Sequence, residues 1–169
     1  FTELIETPHI DLLRRVRDKV SYPGKIVIWV GARTGNTLFL SELGKQTEFP
    51  VMLKHGLDAP GVDDLFERAE WVLGGGNVWR EDGTLDKNAT LRAVRNEQII
   101  MCLRGTRQTD KRSPWRFVRN HHWCGVLKGL CGAPVCIDPS HSAGTMVGDL
   151  VMSNVKEALR HRPHLLMVE

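Results

Sequence analysis

The sequence predicts an α/β fold built on a parallel sheet, and three observations carry that prediction. Short runs rich in apolar and β-branched residues alternate with longer amphipathic stretches, the strand–helix pattern of α/β proteins. The short runs are apolar on successive residues, as in Ile26-Val27-Ile28-Trp29-Val30 and Ile99-Ile100-Met101-Cys102-Leu103. Continuous apolarity marks strands buried on both faces, in a parallel sheet covered by helices or closed into a barrel. At 169 residues, with 41% hydrophobic and 25% charged residues, the chain has the length and composition of one globular domain with a sizeable core.

Element by element, the first strand is expected at Phe1 to Ile5. A helix follows over Ile10 to Val20, with Leu12, Leu13 and Val16 on one face, Arg and Asp on the other, and Pro8 suited to its first turn. The strand Lys25 to Val30 leads into a helix over Leu38 to Lys45. The strand Pro50 to Lys54 leads into a helix over Val62 to Leu73, closed by Gly74-Gly75-Gly76. The longer connection to Glu97 has room for a short helix at Leu85 to Val94. Strand Gln98 to Leu103 precedes a helix over Trp115 to Leu130. Strand Pro134 to Ile137 precedes a helix over Met146 to Arg160, and His164 to Val168 is the last strand. Both an open doubly wound sheet and part of a (β/α)8 barrel satisfy these roughly six units, although no GxGxxG fingerprint follows the first strand. No internal repeat and no low-complexity linker interrupts them.

Charge and composition narrow the function. A net charge of +3 and a pI near 8.8 suit an anionic small molecule and argue against nucleic acid, which needs a basic stripe with aromatics. The runs Arg14-Arg15-Val16-Arg17 and Arg160-His161-Arg162 read as solvated helix faces, and the five tryptophans are scattered. No apolar run is long enough to cross a bilayer. Cys102, Cys124, Cys131 and Cys136 lack paired CxxC spacing and no signal peptide is visible, so reduced thiols in a cytoplasmic protein are expected. Cys102 lies inside an apolar strand and reads as core, and Cys124 and Cys131 do not make a metal site. His121 and His122 are neighbours in a stretch read as helix, where adjacent residues do not face one site, and are expected to be structural or on the surface.

In either architecture ligands bind at the C-terminal ends of the parallel strands. There stand Gly31-Ala32-Arg33-Thr34, Leu53-Lys54-His55-Gly56, Leu103-Arg104-Gly105-Thr106-Arg107, Asp138-Pro139-Ser140-His141-Ser142 and Met167-Val168-Glu169. Three cationic residues, Arg33, Lys54 and Arg104, then a histidine and two carboxylates follow at the same end of consecutive strands. Guanidinium forks grip phosphate bidentately and an ammonium suits a phosphate or a carboxylate. His141 and Glu169 on neighbouring strands can share one divalent cation, which polarises a carbonyl as a Lewis acid.

These segments, with Asp138-Pro139-Ser140-His141-Ser142-Ala143-Gly144 the most specific, resemble the successive strand-end motifs of the 3-deoxy-7-phosphoheptulonate (DAHP) synthase family, in the family's order. Thr2-Glu3-Leu4-Ile5 is similar to that family's third barrel strand. The likeness runs along essentially the whole chain and is loosest from Gly74 to Asn96 and from Gln108 to Gly132. It implies a (β/α)8 TIM-barrel fold, incomplete, with residues 1–169 a single partial catalytic domain spanning strands three to eight. It further implies a metal-dependent transferase of the shikimate pathway that condenses phosphoenolpyruvate with erythrose 4-phosphate. Arg33 and Arg104 would hold the phosphate of phosphoenolpyruvate, Lys54 its carboxylate end, and Arg107 a substrate phosphate. Lys54 and His141 would be catalytic. His141 and Glu169 would ligate a divalent metal such as Mn, Co, Fe or Zn.

The family's first strand, with a metal-binding cysteine, its second, with a Lys-Pro-Arg-Thr element, and the segment carrying its last metal-ligating aspartate have no counterpart here. Asp110-Lys111-Arg112-Ser113-Pro114 has only a faint likeness to that element and does not map onto it. The expectation is that the missing strands belong to a longer chain or come from a partner or a second copy. The alternative is a non-catalytic relative, a regulatory or binding protein that takes phosphoenolpyruvate or a sugar phosphate without metal.

Overall fold

The computed structural model describes residues 2–3, 10–19, 26–93, 95–107, 112–113, 115–143 and 149–168. Phe1, Leu4, Ile5, Pro8, Val20, Lys25, Val94, Met146 and Glu169 of the expected elements lie outside the described residues, as do Asp110, Lys111 and Pro114. Two compact units make up the chain, Phe1–Met52 with Phe66–Ile99, and Leu53–Leu65 with Ile100–Glu169.

The first unit carries β1 (Thr2–Glu3), α1 (Ile10–Lys19), β2 (Ile28–Val30) and α2 (Thr37–Gly44), then the start of β3 (Val51–Lys54), most of α3 (Asp63–Leu73), and α4 (Lys87–Arg92). β1 and β2 pair in parallel with Thr2 opposite Ile28. The ladder continues through Ile28 N to Pro50 O at 2.9 Å and Val51 N to Gln98 O at 2.8 Å. Ile28, Val30 and Val51 on the strands are fully buried, as continuous apolarity predicts, and Leu43 and Val72 on the helices are buried with them.

Helix α2 starts where Asn36 Oδ1 accepts from the Phe39 amide at 3.2 Å, and it buries Phe39, Leu40, Leu43 and Gly44. Its last turn meets the 3-10 turn Gly74–Gly76 glycine to glycine. A Cβ on Gly44 would stand 1.8 Å from the Val72 carbonyl oxygen, and one on Gly75 would stand 2.2 Å from that of Ser41. Only hydrogen fits at this backbone-to-backbone approach. On the surface, Glu48 takes Arg14 and, at 3.1 Å, Arg17. These exposed pairs add little stability and make the basic run of α1 the solvated face its charge pattern predicts.

The second unit carries the end of β3, most of β4 (Ile99–Leu103), β5 (Thr106–Arg107), β6 (Phe117–Val118), α5 (Trp123–Leu130), β7 (Val135–Ile137), α6 (Asp149–Arg160) and β8 (Leu165–Leu166). The six-stranded sheet has the order β1-β2-β3-β4-β7-β8. β4 and β7 run parallel with Cys102 opposite Cys136, and β7 and β8 run parallel with Cys136 opposite Leu165. The Cys102 thiol is held well above its usual range by its hydrogen bond with Cys136 and by burial, which makes it a core thiol and not a nucleophile.

The amphipathic stretch Trp115 to Leu130 is not one helix. Its first part forms β6, antiparallel to β5 with Thr106 opposite Val118, and the helix starts only at Trp123. Phe117 is buried under the Arg104 guanidinium, 4.8 Å from its ring centroid, and this long-range stacking overrides the local helical pattern. Gly105 permits the turn from β4 into β5, with φ at +91° and its amide donating to Asn120 Oδ1 at 3.0 Å.

His121 is structural. It is fully buried, with Nδ1 2.7 Å from Glu157 Oε2 on α6. Burial lowers its pKa from 6.5 against the opposing pull of Glu157. A histidine kept neutral in the fold binds its proton more readily when unfolded. Its contribution to stability is therefore complete above about 6.5 and is lost as the pH falls through the folded value. The urea midpoint is expected to fall below neutral pH, and His121→Gln to flatten that slope. An unchanged slope in the variant would show that His121 does not titrate with folding.

Candidate active site

In the second unit, three strand ends place charged side chains in a row. Lys54 is the last residue of β3, and Arg104 and Asp138 directly follow β4 and β7. These strands are neighbours in the sheet, and Asp138 N donates to Leu103 O at 2.8 Å. All three side chains are buried: Lys54 is 5% exposed, Arg104 6% and Asp138 0%. Charges at that depth persist only when paired.

Asp138 is the hub. Its Oδ2 lies 3.2 Å from Lys54 Nζ, and its Oδ1 accepts from Ser140 Oγ at 2.6 Å. His141 Nδ1 lies 2.8 Å from Oδ2. Burial alone would push the Asp138 carboxyl up. The adjacent His141 imidazole, then the Ser140 hydroxyl and the Lys54 charge, outweigh it and hold the pKa down at about 2. The carboxylate is thus a fixed anion that orients an ammonium and an imidazole together. His141 sits in the 3-10 turn Ser140–Ala143, whose Ser142 carbonyl accepts from Arg116 N at 3.0 Å.

The remaining sequence-predicted residues fall as follows. Arg104 stacks on Phe117, and Arg116 lies 5.1 Å from the same ring. Arg107 is exposed and grips Asp58 with both edges of its fork, Nε to Oδ1 at 2.6 Å and the second nitrogen to Oδ2 at 3.2 Å. Arg33 belongs to the first unit. It is exposed on the turn after β2, which Arg68 fastens by donating to Thr34 O at 2.8 Å. Glu169 lies outside the described residues. The structure therefore joins Lys54 and His141 through Asp138, with Arg104 at the adjoining strand end.

Sequence reading assigned no role to Asp138 or Arg116. The i, i+3 spacing of Asp138 and His141, and the need of a buried Lys54 for a counter-charge, were the available signals for Asp138. Nothing local marked Arg116, which reaches this region through the β5–β6 pairing. His55, beside Lys54, is fixed away from the row by Nε2 to Gly61 O at 2.7 Å and by edge contact with Trp123 at 5.2 Å.

The donor set bears on a metal. With Nδ1 turned to Asp138, His141 has Nε2 as the nitrogen to offer a cation, and a carboxylate behind the ring is how metal-ligating histidines are held. Imidazole with carboxylate oxygen suits Mn, Fe, Co or Zn. Among the described residues no group of three or more His, Cys, Asp and Glu is placed to hold a metal ion. No helix among the described residues is long and apolar enough to cross a membrane.

Comparison with known proteins adds the following. The family model described as DAHP synthetase I family matches residues 12–169. A crystal structure of phospho-2-dehydro-3-deoxyheptonate aldolase (DAHP synthase) from Thermotoga maritima is similar, with a TM-score of 0.70 and 24% identity over 99% of this chain and 40% of that one. A truncated form of 3-deoxy-D-arabino-heptulosonate 7-phosphate synthase from the same organism gives 0.69 and 24% over 99% of this chain and 52% of that one. No curated protein matches. At that identity the likeness shows the fold, α/β with part of a (β/α)8 barrel, and the chain spans about half the length of these structures or less.

Proposed function

The chain belongs to the DAHP synthetase I family, and from that premise we propose that it carries the phosphoenolpyruvate-holding part of a 3-deoxy-7-phosphoheptulonate synthase. The substrates are phosphoenolpyruvate and erythrose 4-phosphate. The observation that carries the reading is the buried Lys54–Asp138–His141 row with Arg104 at the next strand end. Two kinds of group meet there, cations for an anionic donor and an imidazole held by a carboxylate.

In this reading Arg104 takes the phosphate of phosphoenolpyruvate through its guanidinium fork. Lys54 takes its carboxylate end, held in place by Asp138 at 3.2 Å. Carbon 3 of phosphoenolpyruvate adds to the aldehyde carbon of the acceptor, water adds to carbon 2, and inorganic phosphate leaves. The cations that bound the phosphate ester also stabilise the phosphate as it departs. His141, with Glu169, would hold a divalent metal, Mn, Co, Fe or Zn. When bound there it supplies Lewis-acid polarisation of the aldehyde. Arg107 meets a substrate phosphate only by giving up Asp58, so its removal is expected to weaken binding less than removal of Arg104.

The proposal includes further chain segments or a second copy beside β8, whose Leu165 and Leu166, with nearby Val168, are exposed. It also places the protein in the cytoplasm, where Cys102, Cys124, Cys131 and Cys136 stay thiols. Lys54→Met tests the donor site. Removing a charged hydrogen-bonding partner is expected to weaken phosphoenolpyruvate about 10- to 100-fold by equilibrium titration, with the far-ultraviolet dichroism unchanged. Unchanged affinity would remove Lys54 from the site.

A further inference from the structure

In the first unit a cleft of about 380 Å³ opens between helix α3 and the chain that follows it. Glu67, Glu70, Trp71 and Gly74 form its floor, at spacings of three, four and seven residues that put them on one helix face. Trp79 closes one side from the segment after the Gly74–Gly76 turn, where Trp79 and Leu85 form an isolated antiparallel bridge. Asn77 and Ser41 add polar atoms to the lining.

Two features of this cleft go together. Trp71 is 48% exposed and Trp79 62%, two indoles left to solvent in one small concavity. Glu67 and Glu70 are exposed beside them, and among the described residues neither carboxylate engages a Lys, Arg or His in an ion pair. The chain as a whole carries +3, yet among the described residues no cation lines this cleft. Indole faces attract a positive charge through the ring quadrupole, and unpaired carboxylates at the same opening add attraction of the same sign. A neutral apolar ligand would leave the carboxylates unused, and an anion would be repelled by them.

We propose that this cleft is a binding site for a small organic cation of the alkylammonium class, held between Trp71 and Trp79 with Glu67 and Glu70 as counter-charges. The site shares no residue with the strand-end row and does not depend on the proposed synthase chemistry. The cleft volume admits a ligand of a few heavy atoms around a charged nitrogen. Asn77 and Ser41 can serve a hydroxyl carried on the same ligand.

The test is a titration of the full chain with choline, followed through the indole N–H resonances of Trp71 and Trp79. The parallel titration uses 3,3-dimethyl-1-butanol, which has the same shape without the charge. Choline is expected to shift both indoles saturably with Kd on the order of a millimolar, and the neutral isostere to bind about tenfold more weakly. Trp79→Leu, a change at an exposed position, is expected to weaken choline about tenfold, and Glu70→Gln severalfold and in a salt-dependent manner. Equal binding of choline and its isostere would overturn the proposal. So would an unchanged choline affinity in Trp79→Leu that dichroism shows to be folded, or the absence of any indole shift up to about 50 mM choline.

Discussion

Gly44→Ala is expected to destabilise the chain by about 3 kcal/mol or more, which for a protein of this size lowers Tm by roughly 6–12 °C. The position has an ordinary helical backbone, so the cause is space and not conformation. The added methyl would sit 1.8 Å from the Val72 carbonyl oxygen, with Gly75 Cα at 3.1 Å. Neither neighbour is the far end of a flexible side chain. Relief requires α2 to move away from the end of α3 and the glycine turn, and that opens the buried contacts of Phe39, Leu40 and Leu43. The Gly44 carbonyl also accepts from the Asn96 amide at 2.9 Å, a bond such movement stretches. Gly125→Ala, inside α5 with nothing within 4 Å of the new methyl, is the control. It is expected to be neutral or to stabilise by about 0.5–1 kcal/mol through helix propensity. Equal urea midpoints for the two variants would show that the α2 approach is looser than described.

Asp138→Ala is the second large effect, expected to cost about 3–5 kcal/mol and to abolish measurable phosphoenolpyruvate binding. The asymmetry of the row makes the reasoning testable. Removing Asp138 takes the counter-charge from Lys54, which is 5% exposed, and from His141 at once. Removing Lys54 leaves Asp138 with His141 and with the Ser140 hydroxyl at 2.6 Å. Lys54→Met should therefore cost less stability than Asp138→Ala. The Lys54→Met, Asp138→Leu double variant should cost less than the sum of its parts, because neither buried charge then stands without the other. Additive losses in urea titration would mean that the two side chains do not interact.

The strands of the parallel sheet were legible to within about three residues, though not the short β5 and β6, because burial on both faces writes itself as a continuous apolar run. Ile99–Leu103 and Val135–Ile137 show this, and α2 and α3 were legible from amphipathic spacing. The stretch before Trp123 was misread as helix because its partner lies elsewhere in the chain. Phe117 is placed by Arg104 and by pairing with Arg107, contacts that no local period records. Among site residues, Lys54 and Arg104 stood out as cations ending apolar strands. Asp138 stood there only as one of two strand-end carboxylates with no role of its own, since an aspartate before Pro139 reads equally well as the start of a turn. Its role appears only once three strand ends are brought side by side. The Trp79 side of the cleft was hidden for the same reason, in a connection too irregular to carry a pattern.

The most direct test of the phosphoenolpyruvate site is a calorimetric titration of the chain with phosphoenolpyruvate, once with a chelator and once with Mn²⁺. The account predicts saturable binding that Mn²⁺ strengthens, with the strengthening lost in His141→Ala while the metal-free affinity is kept. Binding indifferent to Mn²⁺ would contradict the metal role of His141 and make the chain an anion-binding relative. No binding in either condition would contradict the central claim that Lys54 and Arg104 hold this substrate.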